Sequence, residues 1–463
     1  MKKHILLTAA LGLTGAASLT AATYDIYITG STAFRANVFT ACTNLFSGSP
    51  TIYYGNAAHG GADSGFTPKT GAWSMTGTPS SALTASNNFT ASDTLNIHAL
   101  FTGSVQGYAA VIGKTPVVFP NTSGSANGLC SGYVTNAPTI GFSDCSGAST
   151  PYNADGVNYL EEKVAVQPFV AVKSKGPGAT MAAISNLSWF ELQEGIGVGY
   201  IPASVWTGKL ADTNNFVYLL QRTSDSGTRR TELAQESMPF NATVATPIWN
   251  TASGGFYFPS TNTWAATGDG TAGVIGGAGP GNNNNNLNWG TGYIAGGDIA
   301  TVLNYTTANG VTNQSISYMS VGDAKGVGPS NWANVLTLDG QWPTADGAGL
   351  VSAGGTNNFA PVTTGFYPAW GYEVIVYPSP AFVKGGTSGQ TVSDSQLGTG
   401  TTPGSFMGVF NAQTVNAASL TPGSIEYEIY RTETVSGLYP NTAIRLQEMN
   451  VNRPNVGGVI APK

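Results

Sequence analysis

Three times in this chain an apolar, strand-like run breaks into a Gly/Ser/Thr turn that leads into a helix or tight loop. The turns are Gly30-Ser31-Thr32-Ala33, Ser143-Asp144-Cys145-Ser146-Gly147, and Arg222 through Ser226-Gly227-Thr228. At the first turn the apolar period changes from two residues to three or four, the mark of a strand that gives way to a helix, and regular α/β alternation resumes from about residue 138. Before the first turn, residues 24–29 (YDIYIT) alternate large and polar side chains. After it, Phe34, Val38, Phe39, Cys42 and Leu45/Phe46 recur at helical spacing, which predicts a helix capped by Ser31 or Thr32. The same reading predicts strands at 51–55, 138–144, 164–173, 216–220, 315–321, 372–377 and 425–431, and helices at 229–237 and 298–305. Another helix begins at Ser188, where Ser188-Trp189-Phe190-Glu191 has the form of a capping box. Residues 60–135 read as an elaborated insertion with short strand pieces at 109–112 and 116–119. Residues 240–292, with five consecutive asparagines at 282–286, read as a second insertion.

The polar positions are short of charge. Lys, Arg, Asp and Glu supply 42 of 463 residues, or 9%, against about 25% in an average soluble domain. With 61 glycines and mostly Ser, Thr and Asn elsewhere, the surface must be neutral-polar and rich in turns, which excludes charge-laced helical assemblies. Hydrophobic residues make up 41%, including nine Trp, twenty Tyr and nineteen Phe, enough core for two or three domain-sized units. A net charge of -6 with no Lys/Arg run argues against a general nucleic-acid binder, which needs a basic face to release counterions from phosphates.

At the N-terminus, Lys2 and Lys3 precede an apolar run over 5–19 and small residues at Thr20, Ala21 and Ala22, the layout of a secretory leader over 1–22. Its removal leaves 16 basic and 24 acidic residues, near -8. No later segment has the about 18 unbroken apolar residues of a membrane helix. The expectation is a periplasmic or extracellular protein with no span in the mature chain. In an oxidising compartment Cys130 and Cys145 are expected to pair, closing a short loop worth roughly 3 kcal/mol. Cys42 is expected to be a buried thiol. His4, His59 and His98 are the only histidines, and no G-x-S-x-G elbow or phosphate-binding G-x-x-x-x-G-K loop occurs. A binding protein is therefore expected rather than an enzyme, with no cofactor or metal. His59 and His98 read as loop and surface residues, and Glu161/Glu162 and Glu232/Glu236 as solvated faces.

Turns of this design present backbone N–H groups and hydroxyls at the positive end of a helix. Anions bind there, and Arg222 adds a planar donor fork. Any one turn is explained by capping and chain reversal alone. Together and in this order they resemble the periplasmic phosphate-binding proteins of ABC-type phosphate uptake, the PstS-like branch of the type II solute-binding fold. Gly30-Ser31-Thr32-Ala33-Phe34 is similar to that family's first turn, and Gly141-Phe142-Ser143-Asp144 to its Gly-x-Ser-Asp loop. Arg222-Thr223-Ser224-Asp225-Ser226-Gly227-Thr228 is similar to its Arg-x-x-x-Ser-Gly-Thr signature. Weaker similarity covers 184–210 and 315–324.

The resemblance implies a two-lobed α/β fold with Gly/Asn/Thr-rich insertions. Lobe 1 would begin at 23–165, lobe 2 would span 166–330, and 331–463 would return to lobe 1 and add C-terminal strands. It implies ligand contacts from Ser31, Thr32, Ala33, Asp144, Arg222, Ser226, Gly227 and Thr228, phosphate or a related tetrahedral oxyanion as ligand, and an ABC permease as partner. The family's second loop would correspond to 55–65, where Ser64 is the single serine. Two positions depart from the family pattern. Ser224 stands where an Asp often braces the Arg, with the acid one later at Asp225, and Arg35 stands where Pro is common. Arg35 reads either as a further donor or as a solvated helix residue.

Asp144 carries the sharpest expectation. A carboxylate beside an anion is costly unless the anion donates a hydrogen bond to it, which protonated phosphate can do and sulfate at neutral pH cannot. The competing reading is an extracellular surface or adhesive protein that keeps the scaffold without serving a transporter. It draws on the same scarcity of charge and on the two insertions.

Overall fold

The computed structural model describes residues 21–55, 71–85, 89–174, 178–240, 242, 244–250, 255–257, 292–293, 295–304, 314–324, 334–345 and 357–379, with short pieces at 399, 406–407, 438–439, 444, 449, 451–453 and 460–462. The leader up to residue 20, His59, Ser64, the asparagine run and the strand expected at 425–431 lie outside the described residues.

A sheet of eleven strands forms the frame. In chain order the elements that build the site are strand β1 (Thr23–Gly30), helix α1 (Arg35–Thr43), strands β2 (Thr51–Tyr54), β3 (Ala72–Gly77) and β4 (Thr94–Phe101), and helix α2 (Ser104–Val111). Then come β5 (Val117–Pro120), β6 (Gly128–Leu129), β7 (Tyr133–Asn136), β8 (Ile140–Ser143) and β9 (Tyr159–Lys173). Helix α3 (Trp189–Ile196), β10 (Tyr200–Pro202), β11 (Phe216–Leu220), α4 (Gly227–Gln235), α5 (Gly296–Asn304), β12 (Ser315–Ser320), α6 (Val321–Ala324) and β13 (Trp370–Pro378) complete the set. The sheet order is β10-β11-β12-β9-β13-β8-β1-β4-β3-β2-β6. β1 runs parallel to both β4 and β8, and β11 runs parallel to β12.

Among the described residues the two largest hydrophobic cores divide this sheet, giving the two-lobed α/β class that the resemblance implies. One gathers Ile26 and Ile28 of β1, Phe34, Val38 and Cys42 around α1, and Ile97 and Phe142. The other gathers Val170 and Val172 of β9, Leu192, Leu219, Ile299 and Ile316. β9 crosses between them. Residues up to Pro168 pair with β13, and those from Phe169 onward pair with β12. Proline supplies no N–H, so it sits comfortably where a strand changes partner.

The local chemistry follows the sequence closely in several places. β11 occupies 216–220 as expected, and β1 ends at Gly30, whose φ is +125°. A Cβ there would lie 2.0 Å from the Phe142 carbonyl oxygen, so only glycine lets β1 and β8 approach at this point. Ser188 caps α3 through a complete capping box with Glu191.

Other expectations fail for physical reasons. Residues 109–112 belong to α2 rather than to a strand. Every residue of α2 is buried, so it lacks the polar face that reveals a helix in sequence. β4 and α2, taken from the tract read as an insertion, sit beside β1 near the middle of the sheet. Neither Ser31 nor Thr32 caps α1, whose N-cap is Phe34 without a side-chain bond.

The Cys130–Cys145 disulfide is not formed, and both are free thiols. Cys130 follows the edge strand β6 while Cys145 follows β8, with β2, β3, β4 and β1 between them. That spacing is about 24 Å at the usual strand separation, far beyond disulfide reach. Cys42 is a buried thiol, as expected, and burial raises its pKa.

His98 is buried in β4 rather than exposed. Its Nε2 lies 3.2 Å from Asp25 and its Nδ1 2.9 Å from the Ser74 hydroxyl. Glu232 and Glu236 are likewise buried, and burial pushes their pKa values up to about 8 and about 10.

The capping box gives a direct test of the local reading. Ser188→Ala removes one acceptor at the start of α3 and should cost about 1 kcal/mol, read as a lower urea midpoint with an unchanged m-value.

Candidate functional site

The C-terminal ends of β1, β4, β8 and β11 converge, and each carries a turn. This is where open α/β sheets place their ligands, outside the carboxyl ends of parallel strands on either side of a change in strand order. The change occurs at β1, with β4 on one side and β8 on the other. α1 packs into the core of β1, β4 and β8, whereas Tyr108 and Val111 of α2 pack against Val374 and Val376 of β13 in a separate cluster.

Asp144 is the centre of the convergence. It is 2% exposed at the end of β8, yet three elements address it. Ser104, the first residue of α2, donates its hydroxyl to one carboxylate oxygen. Thr228 in the first turn of α4 donates to the other at 3.2 Å. The Thr231 hydroxyl, one turn further along α4, donates to the Asp144 carbonyl at 3.4 Å. Gly227 sits so close that a Cβ would lie 1.8 Å from the Asp144 carboxylate, so glycine is required by contact there. Burial pushes the Asp144 pKa up to about 6, and the Arg222 charge is the main force opposing it.

Arg222 follows β11 and is itself 2% exposed. Its Nη2 donates to the Thr32 hydroxyl at 3.2 Å, and its Nε donates to the Tyr293 carbonyl at 3.2 Å. Burial lowers its pKa, while Asp323, Asp144 and Asp298 support the charge and Arg35 opposes it. Arg35 is 5% exposed. Of its two sequence readings the solvated one fails, and the cleft holds two guanidinium groups rather than one.

The sequence-predicted residues divide as follows. Thr32 meets Arg222, and Asp144 meets Gly227 and Thr228, through the contacts above, and the Arg222 charge acting on Asp144 links the two groups. Ser31 stands at the same turn, its backbone N–H donating to Phe142 at 2.9 Å, with Ala33 half-buried beside it. Ser226 is the N-cap of α4, its hydroxyl accepting from the Arg229 N–H. Asp225 faces the start of α2. Its carbonyl accepts from Val105 at 3.0 Å, and its carboxylate lies against Gly103, where a Cβ would be 1.9 Å away. Burial raises its pKa well above the ordinary carboxylate value.

Sequence reasoning missed Ser104. The signal was present, since 95–101 (LNIHALF) runs into Thr102-Gly103-Ser104, the same strand-to-Gly-Ser design as the first turn. It was hidden inside a tract read as an insertion. Among the described residues no cluster of His, Cys, Asp and Glu is arranged to hold a metal ion. No helix among them is long and apolar enough to cross a membrane.

No protein-family model matches the chain, and no curated protein matches it. Among solved structures it is similar to an ABC-type phosphate transport receptor from Vibrio cholerae, at 10% identity over 77% of this chain and 87% of the other, with a TM-score of 0.31. It is also similar to PstS from Borrelia burgdorferi, at 12% identity, 76% and 86% coverage and a TM-score of 0.30. A human phosphate-binding apolipoprotein overlaps at 12% identity, 84% and 93% coverage and a TM-score of 0.33. Overlap this loose transfers neither a residue role nor a ligand, which must come from the chain's own side chains.

The raised Asp144 pKa has a stability consequence. The native state holds this proton more tightly than the unfolded chain, so the contribution is present at low pH and is lost as pH rises from about 4 through about 6. Without ligand, wild-type stability should fall relative to Asp144→Asn across that window by up to roughly 3 kcal/mol. Denaturant unfolding of both proteins at pH 4 and pH 7.5 measures it, and an equal gap at the two values would contradict the assignment.

Proposed function

We propose that the protein captures phosphate, or a closely related tetrahedral oxyanion, in the cleft where these four turns meet. The observation that carries the reading is a buried carboxylate, Asp144, held beside the buried Arg222 and fed by hydroxyls from both sides. Arg222, Arg35, the hydroxyls of Ser31, Thr32 and Ser226, and the backbone N–H groups of Ala33, Gly227 and Thr228 supply donors for a ligand rich in oxygen. Asp144 is the discriminating acceptor. Each carboxylate oxygen has two acceptor sites, so accepting from Ser104 and Thr228 leaves room for a proton on the ligand. A fully deprotonated sulfate offers none and meets a bare repulsion.

Four or five charge-assisted hydrogen bonds at roughly 1.5–3 kcal/mol each reach the about 8 kcal/mol of micromolar binding. The lobe boundary at 165/166 belongs to the same reading, supported by the partner change of β9 at Pro168. So do export by the leader and delivery to an ABC permease. The lobes close over the anion, and the closed form is what a permease would recognise.

Calorimetry on the mature protein tests this. Phosphate and arsenate should give heat and sulfate none. Arg222→Ala should weaken phosphate about 100-fold, equivalent to about 3 kcal/mol, and Asp144→Asn should admit sulfate. Silence with both phosphate and arsenate, together with an unchanged Tm, would refute anion capture and favour the surface-protein reading.

A further inference from the structure

Glu373 has had no part in the site so far. It lies within β13, one residue before Val374, which pairs with Ser143 of β8 in antiparallel register, so Glu373 stands level with Asp144, the residue that follows the end of β8. The side chain is fully buried, and neither carboxylate oxygen has a hydrogen-bond partner of normal geometry. The hydroxyl that acts on it is that of Ser31, also fully buried and likewise without a partner of normal geometry. An ionised carboxylate left in that state is expensive. Burial first and the Asp144 charge second hold the Glu373 carboxyl well above the ordinary glutamate range, against the Ser31 hydroxyl. β9 presents uncharged Ala165 opposite it. The Arg222 charge is supported by Asp323, Asp144 and Asp298 and opposed by Arg35, and among the described residues the charge that acts on Glu373 is that of Asp144.

We propose that Glu373 is a positioning residue for the bound oxyanion: as a carboxylic acid it donates its proton to Ser31 Oγ, which leaves the Ser31 O–H to point at the ligand. The inference rests on the anion-capture reading above and adds a residue to it. A serine hydroxyl has one proton and two acceptor sites. Beside a carboxylate it gives that proton to the carboxylate and turns lone pairs toward the anion, a repulsive contact. Beside a neutral acid it accepts, and its own proton remains for the ligand. Glu373 thus decides whether Ser31 attracts or repels an oxyanion without touching the oxyanion itself.

The test is a mutant cycle read by calorimetry with inorganic phosphate. Ser31→Ala and Glu373→Leu should each weaken binding about tenfold, and the double variant should be no weaker than either single one, because the two side chains act as a unit. Glu373→Gln, whose amide still donates to Ser31, should restore binding to within about threefold of wild type. As pH rises, wild-type affinity should fall more steeply than that of Glu373→Gln, since only the acid can ionise. Glu373→Gln should also remove a protonated-carboxyl band from the infrared spectrum at pH 7. Thermal melting checks that each variant is folded.

Additive losses in the cycle, a Glu373→Gln as weak as Glu373→Leu, parallel pH profiles or an unchanged infrared spectrum would overturn the positioning role while leaving anion capture standing. A wild type that binds no phosphate would overturn both.

Discussion

The buried carboxylate of Asp144 is the constraint on which the rest of the site depends. An acid at 2% exposure is tolerable only if its oxygens are satisfied and a positive charge is near. Both conditions are met from a distance in sequence. Ser104 lies 40 residues before it, and Thr228 lies 84 residues after it. One belongs to the half built on β1 and β4, the other to the half built on β11 and β12. Satisfying Asp144 therefore means bringing the two halves together, and the same packing buries Arg222 and sets its Nη2 on Thr32. Charge, hydroxyls and helix starts form one interlocked unit.

The sheet makes that unit possible. β9 and β13 run through both cores, and the partner change at Pro168 lets one fifteen-residue strand serve two layers. The parallel trio β4-β1-β8 aligns three turns at one edge, and close approach at Gly30 and Gly227 lets them meet without a side chain in the way. The scarcity of charge then acquires a meaning. Several of the few titratable side chains lie in the cleft and under the helices, where Arg229, Arg230, Glu232 and Asp225 are all buried.

Much of this was legible in the residue pattern because it is local. β11, the capping box at Ser188, the Gly30 turn and the burial of Cys42 each depend on a few neighbouring residues. The misreadings share a cause. α2 is buried on every side, so it shows no amphipathic period and passed for a strand. β4 is a central, buried strand set inside a Gly/Ser/Thr/Asn-rich tract whose composition is that of an insertion. Ser104, at their junction, was lost with them. Glu232 and Glu236 are polar by type and four residues apart on one helix, and only the packing of α4 beneath the sheet shows that both are inside.

The sequence by itself determined the elements and the chemistry they can offer: alternating strands and helices, Gly/Ser/Thr turns with free donors, one arginine fork and one acid in a matching order. Only the tertiary structure decided which of those groups meet. It separated Cys130 from Cys145 by the width of four strands, buried Arg35, set the Asp225 carboxylate against Gly103, and brought Ser104 and Glu373 near Asp144, which local pattern had not done. The physical reason is that periodicity and capping act over one or two turns of chain, whereas burial, charge pairing and strand order are set by residues tens to hundreds of positions apart.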